Sequence, residues 1–550
     1  MELMNRITDK PDWEMKAFDE VITKKWKSEA LATPDVDISE KMVDWCIAEL
    51  QYKAKLFQER NFVEATDGIF KSDTIVSEEL RLSLLKAVTP LEQVPDNYKD
   101  WHPGSDEQVL DLVHPSLFPL VYGQSRILRD SVINTEDCIS RCGDGETIPV
   151  PPDDEAKDHQ RPKIFYSQSL DSEHELRSKR FQWLPSEFEL SSDSDDVRIV
   201  SYINNLHPHR HRELYTVIAD IVAQAIPLWN ATLSPLQYSY GPAPRIQMDE
   251  DGDGYQDTDT PALEEPDTDD EALNTAYQAY RDSRPILQPE PGEFKSPEER
   301  ISAKCEASGR DISQRKSPLN LREDYRRLQI IVKLADIHLT PEKPRYEGGS
   351  WHVEGQLNEN ICATALYYYD SNNISESLLA FRSSVDLDTE YLYYEQYDHR
   401  AIETIVGIKI GESSIQNIGK VVTRAGRLLT FPNIFQHRVE PFHLQDPSKP
   451  GHRKILALFL VDPHTKIIST ANIPCQQKEW WEESVRDIGP LGDVPEEINQ
   501  HILRMVDDDD FPITLAKAKE QRLELMEERS RFVANYTDAV EQETFNLCEH

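Results

Sequence analysis

Over the first 65 residues apolar and charged positions mix at helical spacing, with Met42, Cys46, Leu50 and Ala54 recurring every fourth residue, which predicts amphipathic helices. Further on, residues 117–122 (LFPLVY) and 181–188 (FQWLPSEF) break any period and read as packed irregular structure. Leu214, Val217, Ile218, Ile221, Val222, Ala225 and Ile226 follow the helical period closely, so a helix with one buried face is expected there, ended by Pro227. Residues 247–271 are acidic and poor in apolar side chains, and Pro, Ser and Lys stay frequent to about residue 319, which predicts a flexible segment. After Leu321 the texture changes to β-rich runs at 328–339, 362–369, 378–381, 401–410, 419–422, 428–431 and 455–461, parted by Gly, Asn, Asp and Pro turns. That spacing predicts a sandwich or barrel. Residues 514–541 hold no Pro or Gly and predict a long, mostly exposed helix. The chain thus divides into a mainly helical N-terminal region (1–245), an acidic, Pro-rich segment (246–320), a β-rich core (321–475) and a C-terminal helical region (476–550).

Charge and composition narrow the function classes. With 60 Lys and Arg against 100 Asp and Glu, the formal charge of -40 opposes a broad phosphate-binding surface, so nucleic acid is a disfavoured partner. Seven scattered cysteines, an odd number, suit reduced thiols, and the close pair Cys138 and Cys142 has no second pair or histidine pair nearby to make a zinc site. No run of eighteen apolar residues predicts a membrane span, and the polar first sixteen residues hold no signal-peptide core. A soluble protein of the cytoplasm or nucleus is the expectation. Residues 249–257 match the start of an EF-hand loop, but Thr260 stands at its twelfth position and Pro261 follows, so a solvated linker is the better reading.

The chemistry concentrates in the β-rich block, at Gly348-Gly349-Ser350-Trp351-His352-Val353-Glu354-Gly355. On a strand, residues i and i+2 share a face, so His352 and Glu354 present an imidazole and a carboxylate side by side. His437, after the run 428–431 and the turn at Pro432 and Asn433, supplies a third ligand. Two histidines and one carboxylate leave open positions on iron, the arrangement that non-haem Fe(II) oxygenases need. Sixteen residues on stands Arg453, in a turn that feeds a strongly apolar strand. A guanidinium there meets the distal carboxylate of a keto diacid that chelates iron by its other end. Tyr367, Tyr368 and Tyr369 alternate faces on a strand, and Tyr367 is assigned to hydrogen-bond 2-oxoglutarate inside the barrel. A competing match, His211-Arg212-Glu213, opens a helix, where i and i+2 diverge, and is set aside.

At these residues the chain resembles the Fe(II)/2-oxoglutarate-dependent oxygenases, particularly their prolyl-hydroxylase-like branch. The resemblance implies an α+β protein around a double-stranded β-helix (a jelly roll of cupin type), with His352, Glu354 and His437 on iron and Arg453 on 2-oxoglutarate. Glu354 stands where that branch usually has Asp. Through FQWLPSEF, SYINNLH (201–207), IPLWN (226–230), GGSWHVEGQLNE (348–359) and RKILALFLVDP (453–463), the chain also resembles a mainly fungal family that carries a domain of unknown function numbered 4246.

The implied activity is a hydroxylation or related oxidation, coupled to release of succinate and CO2, on a small-molecule or protein substrate. Two other readings fit the same residues: a cupin-like barrel that binds without catalysis, and a metal-dependent cupin enzyme that does not use 2-oxoglutarate. Arg453 separates the two enzyme readings.

Overall fold

The computed structural model describes residues 1–546 apart from 35–37, 153–176, 238–244, 247–253, 257–270, 310, 312–316, 386–397, 487–497 and 499–511. The EF-hand-like stretch and most of the acidic segment therefore lie outside the described residues. The strands that matter here are β1 (Val63–Thr66), β2 (Ile69–Ser72), β3 (Val109–Val113), β4 (Ser186–Leu190), β5 (Val197–Ile199), β6 (Arg327–Leu339), β7 (Ile361–Asn372), β8 (Ser377–Ser384), β9 (Ile415–Thr423), β10 (Arg427–Pro432), β11 (Gln436–Val439) and β12 (Gly451–Val461). Three helices frame them: α1 (Glu78–Glu92), α2 (Arg212–Leu233) and α3 (Leu515–Gln542).

The chain folds as mixed helix and antiparallel sheet. A nine-stranded sheet runs β1-β2-β10-β7-β12-β6-β4-β5, with β3 also pairing β6, and a three-stranded sheet runs β9-β8-β11. Strands from residues 63–199, a region expected to be mainly helical, thus extend the sheet built by residues 327–461.

The period-two alternation of β6, β7, β10 and β12 divides the core. Leu328, Ile330, Val332, Leu334, Tyr367 and Tyr369 face α1 and α2. Ile331, Tyr368, Leu429, Phe431 and Phe459 face the small sheet, where they meet Leu379, Phe381 and Val421. Both faces of the large sheet are covered, which is why its central strands read as near-continuous apolar runs rather than clean alternation.

Several elements depart from the sequence expectation. Helix α2 does not stop at Pro227 but continues to Leu233, because Leu228, Trp229, Thr232 and Leu233 are buried and outweigh one lost backbone hydrogen bond. This segment is the one described helix apolar and long enough to cross a membrane, and most of it is buried against the sheet. The irregular reading of 181–188 gives way at Ser186–Leu190, which pairs with β6. Residues 401–410 are not a strand: Arg400–Val406 is helical, buries Ala401 and Ile402, and ends at Gly407 in the left-handed region. Short apolar runs carry no period that separates these two states.

The C-terminal helix α3 is less exposed than expected. Thr514 caps it, and Ala518, Arg522, Leu525, Phe532, Tyr536 and Ala539 form a buried stripe along it. Leu525 enters the core between the two sheets. Two ion-pair groups hold the helix in place. Arg522 donates to both oxygens of Asp100 (2.6 and 3.1 Å) and lies 3.7 Å from buried Asp111, and Arg382 of β8 reaches Glu541 at 2.9 Å.

Burial pushes the Asp111 carboxyl up, but His114, His102 and Lys333 outweigh it and hold it down to about 2. A carboxyl depressed in the folded state adds stability in full above its unfolded value of about 3.9, and loses it as pH falls through its folded value. Asp111→Asn is therefore expected to lower stability by ~3 kcal/mol at pH 6. It should also flatten the loss of stability between about pH 4 and pH 2. Urea unfolding across that pH range checks both effects.

Candidate metal centre

His352 and Glu354 lie in the segment between the short strand Arg345–Tyr346 and β7, and His437 is the second residue of β11. The expected strand placement of the H-x-E pair is only partly met. His352 forms a single antiparallel bridge with His437, in which the two residues exchange both backbone hydrogen bonds, at 3.2 and 2.9 Å. Past the bridge the chain bends, so Glu354 is placed by other means. Asn433, in the turn before β11, accepts from the Glu354 N–H at 2.8 Å and donates to the carbonyls of Glu354 (2.9 Å) and Ile361 (3.1 Å). The approach of the first segment needs glycine: a Cβ on Gly348 would stand 2.8 Å from the Val439 carbonyl oxygen, and its φ is +90°.

The three side chains converge. Glu354 Oε1 lies 3.7 Å from His352 Nε2 and 3.4 Å from His437 Nε2, and the imidazole centroids are 4.4 Å apart. A ligand atom from each lies within 4.8 Å of the others. His352 Nδ1 is 2.8 Å from the Ser350 carbonyl, which accepts a hydrogen bond from it, and Nε2 is turned toward Glu354. Trp351 lies between the guanidiniums of Arg382 (4.7 Å) and Arg438 (4.5 Å), which fixes the backbone beside His352.

The electrostatics are those of one anion held by two bases. Burial pushes Glu354 up, but hydrogen bonds to His352 and His437 take it well below the usual carboxylate range. Burial pulls His352 down, yet the neighbouring Glu354 outweighs it and the imidazole lies above its ordinary value. His437 lies below its own, from burial and then from His352. Two imidazoles and a carboxylate at this spacing can hold one divalent cation of the first transition row.

Arg453, the third residue of β12, is 1% exposed. Gly451 lets β12 enter there, since a Cβ would come 2.5 Å from the Asn373 carbonyl oxygen. Arg453 Nη1 donates to the hydroxyls of Ser377 and Thr423, and the guanidinium lies over Phe442 (4.9 Å) and Tyr368 (5.5 Å). Its Nε and Nη2 have no partner, and no described carboxylate lies within ion-pair distance. These two atoms form one edge of the guanidinium, the edge a carboxylate accepts from side-on.

The assignment of Tyr367 does not hold. Its side chain packs in the core between the large sheet and α2, opposite to Arg453, and Tyr368 takes the position against the guanidinium. Strand alternation forces one or the other, and sequence could not say which face was the interior. Of the other histidines near the distal ligand, His452 bonds Asp370 at 2.8 Å and His464 bonds Tyr325 at 2.8 Å. Asn433 was not singled out from sequence as a positioning residue. The signal available was its place in the turn directly before the distal histidine.

A second trio, His102, Asp111 and His114, also brings its ligand atoms within 4.8 Å. Its members are largely engaged elsewhere, although Asp111 Oδ1 is buried without a hydrogen-bond partner. Asp111 bonds His102 at 2.8 Å and faces Arg522, while His114 Nδ1 accepts from the Ser116 N–H at 3.2 Å. A cavity of about 370 Å³ opens beside Glu354, walled by Val353, Leu357, Leu233 and Leu236 and by Phe532 and Tyr536 of α3. Its size suits a small organic molecule.

Comparison with solved structures finds 42 matching chains, and those that follow are of low similarity. A bsmA homolog from Methylobium petroleophilum is 12% identical over 25% of this chain and 42% of its own, with a TM-score of 0.16. The Fe(II)/(alpha)ketoglutarate-dependent dioxygenase TqaL is 15% identical over 34% and 64%, at 0.17. IDO from Bacillus thuringiensis is 10% identical over 74% and 93%, at 0.23. This chain thus spans less than two thirds of the length of the first two. No curated protein matches it. A model for the N-terminal domain of unknown function DUF4246 matches residues 1–29. The model described as protein of unknown function (DUF4246) matches residues 40–484, most of the chain, and the chain belongs to that family.

Proposed function

We propose that this protein is an Fe(II)- and 2-oxoglutarate-dependent oxygenase whose two facing sheets form a double-stranded β-helix. The observation that carries this reading is the pairing of the His352, Glu354 and His437 trio with a buried arginine whose carboxylate-binding edge is vacant of partners. A guanidinium buried without a counter-ion is costly, by several kcal/mol, unless a ligand supplies the anion. A keto diacid supplies it from one end while its other end reaches the metal. A cupin-type enzyme that uses no 2-oxoglutarate has no need for that edge.

His352, His437 and Glu354 would hold iron, which when bound supplies oxygen activation coupled to oxidative decarboxylation of 2-oxoglutarate. The chain's own residues do the rest. The Ser350 carbonyl accepts a hydrogen bond from His352 Nδ1, which makes Nε2 the nitrogen turned toward the metal position. Asn433 sets the bend that turns the Glu354 carboxylate toward both imidazoles. Ser377 and Thr423 fix one nitrogen of Arg453 and so aim the other edge. Leu525, Trp183 and Phe459 fill the interior and exclude water. The longer arm of Glu354, compared with Asp, fits the bend between it and His352. An aspartate would leave the carboxylate one methylene further from both rings.

Purified protein with Fe(II), 2-oxoglutarate and O2 is expected to release succinate, and His352→Ala to release none above background. Equal release by the two would end this reading. Arg453→Met should weaken 2-oxoglutarate binding by on the order of 100-fold while leaving iron retention intact, as measured by anaerobic titration of the visible charge-transfer band. Asn433→Ala should reduce iron affinity by about tenfold, read by metal analysis after dialysis against a weak chelator. Unchanged affinity would mean that Glu354 is held by something other than the turn.

A further inference from the structure

Two further cations face the region around the metal centre, and both have spare hydrogen-bonding capacity. Lys333 lies on β6 opposite Ala457 of β12, in step with Ile331, whose side chain faces the interior. It is half-buried, within electrostatic reach of His352, and has no hydrogen bond or ion pair among the described residues. Arg529 comes from the other side, on α3. Its guanidinium lies 3.6 Å from the ring centroid of Trp183, which itself stacks on Phe459 at 5.9 Å. Nη2 is held by buried Glu359 at 2.7 Å. Nε and Nη1 are buried with no partner, and Glu354 is within electrostatic reach.

Asp111 lies within electrostatic reach of Lys333, but makes no ion pair with it: that carboxylate bonds His102 at 2.8 Å and faces Arg522 at 3.7 Å. Buried polar groups are nearly always paired, so the two unpartnered buried donors of Arg529 indicate a missing acceptor, and Lys333 is a second cation available to it. Arg453 cannot be the partner, being a cation itself. Building on the oxygenase reading, we propose that the primary substrate is a small organic anion, its acidic group held between Lys333 and Arg529 next to the metal centre. The cavity of about 370 Å³ beside Glu354 has room for the apolar remainder of such a molecule. Helix α3 then acts as the roof of the site and supplies one of its recognition residues.

The test uses full-length protein without added metal, and three probes that share one ring: phenylacetate, phenyl phosphate and 2-phenylethanol. Binding is followed by tryptophan emission, because Trp183 touches Arg529. Phenylacetate or phenyl phosphate should bind at least tenfold more tightly than the alcohol, and the tighter of the two identifies the acidic group as carboxylate or phosphate. Lys333→Met should weaken the anion at least tenfold. Arg529→Gln should do the same, and Arg529→Lys, which keeps the charge beside Glu359, should lie between. Lys86→Met, at an exposed lysine of α1, should leave anion binding unchanged. If Arg529→Gln fails to fold, Lys333→Met and Arg529→Lys decide. Equal binding of acid and alcohol, no binding of either anion, retention in Lys333→Met, or loss in Lys86→Met would each overturn the proposal. Because the probes bind without iron, failure of succinate release would sink the oxygenase reading and leave this result independent of it.

Discussion

The backbone bridge between His352 and His437 is the constraint on which the rest of the site depends. Two residues 85 positions apart exchange both of their main-chain hydrogen bonds, and this alone brings their imidazoles to 4.4 Å. The bridge forms because β11 is already fixed by its pairing with β8, where Phe381 stands opposite His437, and because Gly348 lets the incoming segment lie against Val439. Only then can Asn433 bend the chain and swing Glu354 between the two rings. Main-chain hydrogen bonds are strong, geometrically strict and indifferent to side-chain identity, which makes them suited to holding ligands in place before any ion arrives.

Charge is distributed in an unusual way about this frame. The chain as a whole carries -40, yet Arg453 and Arg529 are set inward and retain buried donors that no described residue accepts. Arg427, comparably buried, is engaged at all three nitrogens, by Asp73, by Asp9 and by the Val422 carbonyl. The contrast matters because Arg453 has no carboxylate beside it and Arg529 gives only Nη2 to Glu359. An arginine that arrives with part of its hydrogen-bonding capacity unused is poised for something that is not part of the chain.

The C-terminal helix links these two themes. One stripe of α3 reaches Asp100 and Asp111 at one end, Glu359 and Trp183 in the middle, and Gln436 and Arg382 at the other. Gln436 is the residue before His437, so the helix touches the strand that carries the distal histidine as well as covering the interior. A segment that reads in sequence as an exposed, charged helix is in the structure a roof over the candidate site.

Much was legible in the sequence. Strand alternation, the turn residues and the order H-x-E, distal His, Arg singled out three residues whose ligand atoms the structure brings together and an arginine that it buries on β12, and the runs at 328–339, 362–369, 428–431 and 455–461 form the central strands. These features are local: a period of two, a glycine, a spacing. What the tertiary structure decided is everything that depends on a second segment. It chose Tyr368 over Tyr367 because only the packed sheet has an inside. It carried α2 past Pro227 because buried contacts outweighed one hydrogen bond, and it made residues 400–406 a helix. Strands from residues 63–199 joined the large sheet, and Arg529 was brought from the far end of the chain to meet Trp183 and Glu359. Sequence by itself determined which chemistry the chain can present. Only the fold decided which face is interior and which charges are left without partners there, because burial and pairing are properties of several segments together.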